Sequence, residues 1–197
     1  LQFDTDTIYL NEKEVDKMYI LDLSKNKRLE RIRDLFIVEC LTGVRYGDLM
    51  KITKEYIFKD SIKIKVSKTG QVLHTLLLPT TKKILKKYNF ILPKISNSNY
   101  NKYIKEVGEI ACINQTLTQE SYRSGKAVSF KRKKYQLITT HTARRSFATN
   151  MYKRGYSPVQ IMSITGHKKE STFLKYIRIT NEESVRMISL DYNKKVS

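Results

Sequence analysis

Two short segments set a charged side chain beside a neighbour that could steer it. In Thr42 Gly43 Val44 Arg45 Tyr46 Gly47 Asp48 Leu49 an arginine follows a helix-ending glycine, and a carboxylate three residues on can hold its guanidinium. Taken alone, that is a surface salt bridge. In His141 Thr142 Ala143 Arg144 the i, i+3 spacing at a helix start puts an imidazole and a guanidinium on one face, and a helix N-terminus favours an anion. Gly166 His167 stands just past a predicted helix end. Nine residues later comes Tyr176, inside Phe173 Leu174 Lys175 Tyr176 Ile177, where apolar company reads as core. These residue types can bind an anion through planar charged forks and carry a proton near neutral pH. The spacing by itself leaves Tyr176 open as a core ring or an oxygen nucleophile.

The charge balance names the kind of anion. Among 197 residues, 38 Lys and Arg stand against 19 Asp and Glu, a formal net charge of +19 that calls for a polyanionic partner. The distribution is uneven: residues 1–39 hold nine acids and seven bases, whereas residues 121–169 hold twelve bases and no acid. Solvated basic faces normally mix in carboxylates, so this stretch is expected to face phosphate. Its candidate phosphate contacts are Arg123, Lys126, Lys131, Arg132, Lys133, Lys134 and Arg145. A membrane surface would ask for an amphipathic basic helix, and Lys131 to Lys134 lies in no such pattern. No apolar run reaches the ~20 residues of a membrane span. Cys40 and Cys112 sit among apolar neighbours, which points to reduced thiols and an intracellular, cytoplasmic setting; no cluster of metal ligands is spelled out. The absence of an initiator Met reads as a fragment of a longer protein.

The elements that must position these side chains are mainly helical. Leu29, Ile32, Leu35, Phe36 and Cys40 follow helical spacing up to the stop at Thr42 Gly43. Ile62, Ile64 and Val66 alternate with Lys63, Lys65 and Ser67, then a turn at Lys68 Thr69 Gly70 sends Val72 to Leu78 back, giving a small antiparallel hairpin within about residues 55–78. Pro79 opens a short helix, and Ser96 to Asn99 caps a longer one through Ala111. Leu117 to Leu137, centred on Ser124 Gly125, is a second hairpin or a loop. Thr139 or Thr140 caps a helix with Ala143, Phe147 and Met151 on one stripe, Ser157 Pro158 starts the next, Ser171 is expected to cap another, and Asn181 Glu182 Glu183 begins the last. The fold class expected is mainly α (α+β), as one domain over residues 1–197.

In this order the boxes resemble the tyrosine site-specific recombinases, the phage integrase family, over nearly the whole chain as its C-terminal catalytic domain. The resemblance rests on Thr42 Gly43 Val44 Arg45 with Asp48 Leu49, on His141 to Thr149 read as His-x-x-Arg-x-Ser-Phe-Ala-Thr, and on Gly166 His167 with Tyr176 nine residues on. The long insert before His141 and the Arg144 Arg145 pair look most like integrases of Bacteroides-type mobile elements; Arg145 stands where many members carry histidine. The family's usual N-terminal core-binding domain has no counterpart in this sequence.

The resemblance implies DNA strand cleavage and rejoining through a 3′-phosphotyrosyl intermediate, with no cofactor and no metal. Arg45 and Arg144 would bind the non-bridging oxygens, His167 would add a donor, His141 would take the proton of Tyr176, and Asp48 would support Arg45. A lysine of the first hairpin would protonate the leaving 5′-oxygen; Lys68 is the choice and Lys65 the competitor. The partners implied are double-stranded DNA and further recombinase protomers, a tetramer in the full synaptic complex, with the isolated domain monomeric and the site of work the bacterial nucleoid. A non-catalytic DNA-binding module or a type IB-like relaxing enzyme shares many of these features. A metal-dependent nuclease fits poorly, because the acids sit away from the basic stretch.

Overall fold

Helix α2 (Lys27–Thr42) is apolar round most of its circumference, and that places it at the centre: Leu29, Ile32, Leu35, Phe36, Ile37, Val38 and Cys40 are all buried. The computed structural model describes residues 8–66, 70–123 and 126–196, except for the side chains of 119–123, 126–129 and 190–196. Around α2 pack α1 (Glu12–Tyr19), α4 (Pro79–Lys87), α5 (Asn97–Ile110) and α6 (Thr140–Lys153), with the short α3 (Tyr46–Leu49) following α2 directly. Beyond α6 come α7 (Pro158–Thr165), α8 (Glu170–Leu174) and α9 (Asn181–Val196).

Two antiparallel hairpins complete the fold. In the first, β1 (Ser61–Lys65) pairs with β2 (Val72–Leu76) so that Ile62 faces Thr75 and Ile64 faces Leu73, burying one side and leaving Lys63 and Lys65 exposed. Its turn residues Lys68 and Thr69 lie outside the described residues. In the second, β3 (Thr116–Arg123) pairs with β4 (Lys126–Lys133), so the segment that the sequence left between hairpin and loop is a hairpin, closed by a 3-10 turn at Lys134–Leu137.

Polar struts fix the helices. The buried Asp34 carboxylate accepts from Arg33 Nε at 2.7 Å, Lys87 Nζ at 2.6 Å and the Tyr88 hydroxyl at 2.8 Å, tying α2 to the end of α4. A buried carboxylate is tolerable only when its oxygens are met in this way. Before α1, Leu10 is strapped to α6, its amide donating to Ser146 Oγ at 2.8 Å and its carbonyl accepting from Asn150 Nδ2 at 3.0 Å.

Two local expectations change. Helix α8 starts at Glu170 behind Lys169, whose carbonyl accepts from the Thr172 and Phe173 amides at 3.1 Å each, so Ser171 lies inside the first turn and is not its cap. Cys112 is exposed at a left-handed turn (φ 56°) that ends α5, while Cys40 is buried.

α6 runs from the large core through to a smaller one made of Phe147, Ala148, Met151, Ile161 and Phe173. Gly43 lies against that junction: it closes α2 at φ 67°, and a Cβ there would fall 2.4 Å from the Phe147 ring. Left-handed strain and overpacking therefore add, and Gly43→Ala is expected to lower stability by about 2–4 kcal/mol, read as a lower urea midpoint at unchanged m-value.

Candidate active site

Two helix ends supply the entry to the site. α2 stops when Gly43 turns left-handed and its amide bonds back to the Glu39 carbonyl at 2.9 Å. Two residues on, Arg45 is extended (φ −73°, ψ 147°), and its carbonyl accepts from the Asp48 and Leu49 amides at 2.9 and 2.8 Å, starting α3 and carrying the half-buried Arg45 side chain out of the turn. α7 stops in the same manner at Gly166, φ 70°, where Leu73 of β2 would lie 2.7 Å from an added Cβ. His167 follows at once.

The third element of the site is α6. Thr139 caps it, its amide donating to Thr142 Oγ1 at 3.0 Å, and Thr140 is held by Asn101 of α5 at 2.9 Å. One turn in, Arg144 is buried to 3 % exposure, and its guanidinium joins the two helix ends: Nη1 donates to the Gly43 carbonyl at 2.6 Å and Nη2 donates to the Thr165 carbonyl. Its Nε is buried without an acceptor among the described residues. An unmet buried donor is unfavourable, and an arriving anion would remove that deficit.

The electrostatics describe a cationic pocket. Burial, then the charge of Arg45, brings Arg144 down to about 10, opposed by Tyr176, Asp48 and Glu39; it remains charged at neutral pH. Burial, then Arg144 and Arg45, pushes His167 down to about 3, so its imidazole is neutral. Its Nδ1 is hydrogen-bonded to Thr165 Oγ1 at 2.8 Å, and that hydroxyl also lies 2.9 Å from the Ile161 carbonyl. The Tyr176 ring stands edge-on to His167 with centroids 4.7 Å apart, and Phe173 flanks the same imidazole at 5.5 Å.

The structure thus brings Arg45, Arg144, His167 and Tyr176 together, with the buried Asp48 acting on Arg144 from α3. His141 is exposed within the otherwise buried first turn of α6, three residues before Arg144. Lys68 lies outside the described residues; Lys65 is exposed on β1 and lines a cavity of about 290 Å³ with Asp48, Lys51, Tyr56 and Lys63. The first hairpin is moored to the site, since Thr75 Oγ1 donates to the Thr42 carbonyl at 2.5 Å.

Two of the basic candidates do not face outward. Lys134 is buried and gives both Glu14 oxygens a 2.7 Å contact, and Arg145 is 2 % exposed. Acids of the N-terminal segment fold back on the acid-free stretch, which linear charge counting does not register. Arg154 meets Glu12 for the same reason. Lys131 and Lys133 are exposed and Arg132 half-buried on β4, while Arg123 and Lys126 are paired at the far end of that hairpin.

One residue of the site was missed in the sequence. Glu39 is fully buried on α2, accepts from the Tyr100 hydroxyl at 2.7 Å through Oε2, and leaves Oε1 without a donor. Desolvation pushes it up to about 8, against the weaker pull of Tyr100 and Arg144. Its signal was present: a lone acid inside Phe36 Ile37 Val38 Glu39 Cys40. Among the described residues no three His, Cys, Asp or Glu side chains gather as a metal site, and no helix is long and apolar enough to cross a membrane.

A sequence profile of the phage integrase family matches residues 9–183. In three dimensions the chain is similar to XerA recombinase, with 21 % identity and a TM-score of 0.67 over 93 % of this chain and 65 % of that one. It is also similar to the catalytic domain of bacteriophage HP1 integrase, with 17 % identity and a TM-score of 0.58 over 85 % of each chain. The Tn1549 transposon integrase in complex with circular intermediate DNA matches with 13 % identity and a TM-score of 0.61, over 97 % of this chain and 67 % of that one. At such identities the likeness is one of fold. The chain spans slightly under two thirds of XerA and about half of XerH. No curated protein matches the sequence significantly.

Glu39 gives this geometry a pH signature. Its carboxyl keeps its proton to about 8 in the fold but releases it near 4.5 when unfolded, so its contribution is complete below 4.5 and is lost as pH rises towards 8. Glu39→Gln cannot lose a proton. Urea unfolding of both proteins should show the variant gaining on the parent between pH 5 and pH 8, by up to about 4 kcal/mol; a pH-independent difference would mean that Glu39 is ionised in the fold.

Proposed function

The chain belongs to the phage integrase family, and on that premise we propose that residues 1–197 form the catalytic domain of a site-specific DNA recombinase. One observation carries the reading: a single buried guanidinium, that of Arg144, gathers the Gly43 and Thr165 turns, and with them Arg45, His167 and Tyr176, around a pocket where two arginines face the one carboxylate of Asp48. Such a pocket suits one phosphate. Arg45 and Arg144 bind its non-bridging oxygens and stabilise the extra charge of the pentavalent transition state. His167, held through Nδ1 by Thr165, donates from Nε2 to the same oxygens.

In the proposed reaction Tyr176 Oη bonds to phosphorus and gives its proton to His141, while the P–O5′ bond breaks and Lys68, or Lys65 in its place, protonates the departing 5′-oxygen. The phosphodiester is exchanged for a phosphotyrosyl ester, so rejoining is the same step in reverse. Asp48 steadies the arginines from beneath. The exposed Lys131 and Lys133, with Arg132, Arg123 and Lys126 along the second hairpin, track the backbone of double-stranded DNA without reading its sequence.

The finer parts of the proposal are these. The second hairpin is the long insert that makes the chain resemble integrases of Bacteroides-type mobile elements acting at the bacterial nucleoid. Val185 and Ile188, 64 % and 70 % exposed on α9, suit contact with a neighbouring protomer in a DNA-bound tetramer, the lone domain being monomeric.

A pool of nicked duplexes of randomised sequence, followed by denaturing electrophoresis, tests the chemistry. The parent should leave a covalent protein–DNA band; Tyr176→Phe should bind DNA as before and leave none. Lys68→Ala should slow cleavage at an ordinary 5′-oxygen about 100-fold and much less at a 5′-thiol leaving group. A parent protein giving no adduct, or a Tyr176→Phe protein that still gives one, would overturn the reading and favour a DNA-binding module. Relaxation of supercoiled plasmid without strand exchange would favour the relaxing enzyme.

A further inference from the structure

The nucleophile has to lie in line with the bond it breaks, yet Tyr176 does not belong to a regular helix: α8 ends at Leu174 and α9 begins at Asn181. On its N-terminal side the segment is held by packing, with Phe173 fully buried in the smaller core and its carbonyl accepting from the Tyr176 amide at 2.7 Å. On the C-terminal side a hydroxyl ties it to α6. Thr149 Oγ1 donates to the Tyr176 carbonyl at 3.1 Å and accepts from the Arg178 amide at 3.2 Å. The roles are unambiguous, because a carbonyl can only accept and an amide can only donate. Thr149 is itself fully buried, on the same helix as Arg144 and five residues after it.

We propose that Thr149 is a positioning residue for Tyr176: its hydroxyl staples the backbone on both sides of the tyrosine to the helix that carries the phosphate-binding Arg144. The inference rests on the reading of Tyr176 as nucleophile. Helix α6 then sets both halves of the attack distance, the phosphate through Arg144 and the tyrosine through Thr149, as one rigid body. Misplacing a reacting group by about 1 Å lowers a rate on the order of 100-fold while leaving binding intact. The methyl of Thr149 serves the core; the oxygen serves the tyrosine.

The two atoms separate in experiment. Thr149→Val keeps the branched shape and deletes the oxygen, whereas Thr149→Ser keeps the oxygen and deletes the methyl. With the randomised nicked-duplex pool at saturating concentration, T149V should form adduct about 10–100-fold more slowly than the parent with its Kd for DNA within about twofold, and T149S should recover to within about threefold. A second reading needs no variant: hydrogen exchange of the parent should find the Arg178 amide protected, and in T149V that protection should fall at least about tenfold. T149V cleaving at the parent rate would overturn the proposal. So would T149S as slow as T149V at a temperature where both are folded, since that assigns the effect to the methyl. An unprotected Arg178 amide in the parent would overturn it even if T149V failed to fold. Tyr176→Phe is the control for the premise: adduct lost there but normal in T149V sinks only the Thr149 inference, while adduct kept in Tyr176→Phe sinks the nucleophile assignment itself.

Discussion

The two hydrogen bonds from the Arg144 guanidinium to the Gly43 and Thr165 carbonyls are the constraint on which the site depends. Both acceptors lie at helix C-termini, where α2 and α7 run out into left-handed glycines and leave carbonyls without intrahelical donors. Those ends are also the negative poles of their helices, so a buried cation between them is favoured twice, by hydrogen bonding and by the macrodipoles. A lysine could not replace it: only a planar fork donates in two fixed directions and still keeps further N–H groups for a ligand. The arrangement turns a structural tie into a charge source, because the helix dipoles, with Asp48 acting from α3, offset the Arg144 charge only in part.

Glu39 shows how closely that balance is kept. It lies near enough to Arg144 to influence its proton affinity, and an ionised carboxylate there would compete with any phosphate for the guanidinium. Burial, with the Tyr100 hydroxyl as its hydrogen-bonded neighbour, leaves it neutral below about 8. Burial, and then the charges of Arg144 and Arg45, hold His167 neutral too.

What the sequence disclosed and what it hid divide along contact range. The Gly43 stop, the Thr139 cap, the first hairpin and the order of the boxes are local patterns, and all appear in the structure. The ties between them are not local: Arg144 reaches back 101 residues to Gly43, and Lys134 reaches 120 residues to Glu14. That second tie made a run of bases look wholly available for phosphate when part of it closes on α1. Ser146 reads as an idle helix-face serine until the chain near Leu10 lies beside it. Thr149, the last letter of its box, carries no visible task until a carbonyl 27 residues later is in place.

Helix α6 gathers these hidden tasks, and its composition follows from them. Within 14 residues it holds Thr140 against α5, Arg144 between two helix ends, Ser146 and Asn150 on the Leu10 strap, Phe147 under Gly43, Thr149 on the tyrosine segment and Lys153 on Glu183 at the start of α9. Most inward polar groups of this helix find partners across the fold, although Arg144 Nε keeps an open donor. Here the polar groups are the joints, and each joint fixes one segment that bears a reactive side chain or leads to one. The Gly43 and Thr165 carbonyls are tied to α6 by the buried Arg144 guanidinium, whereas the tyrosine segment joins that frame through Phe173, the Thr149 hydroxyl and the Tyr176–His167 ring contact. In the proposed reaction the group that meets the phosphate charge and the group that attacks are thus both referred to α6, the first through Arg144 and the second through Thr149, so one frame serves cleavage and rejoining.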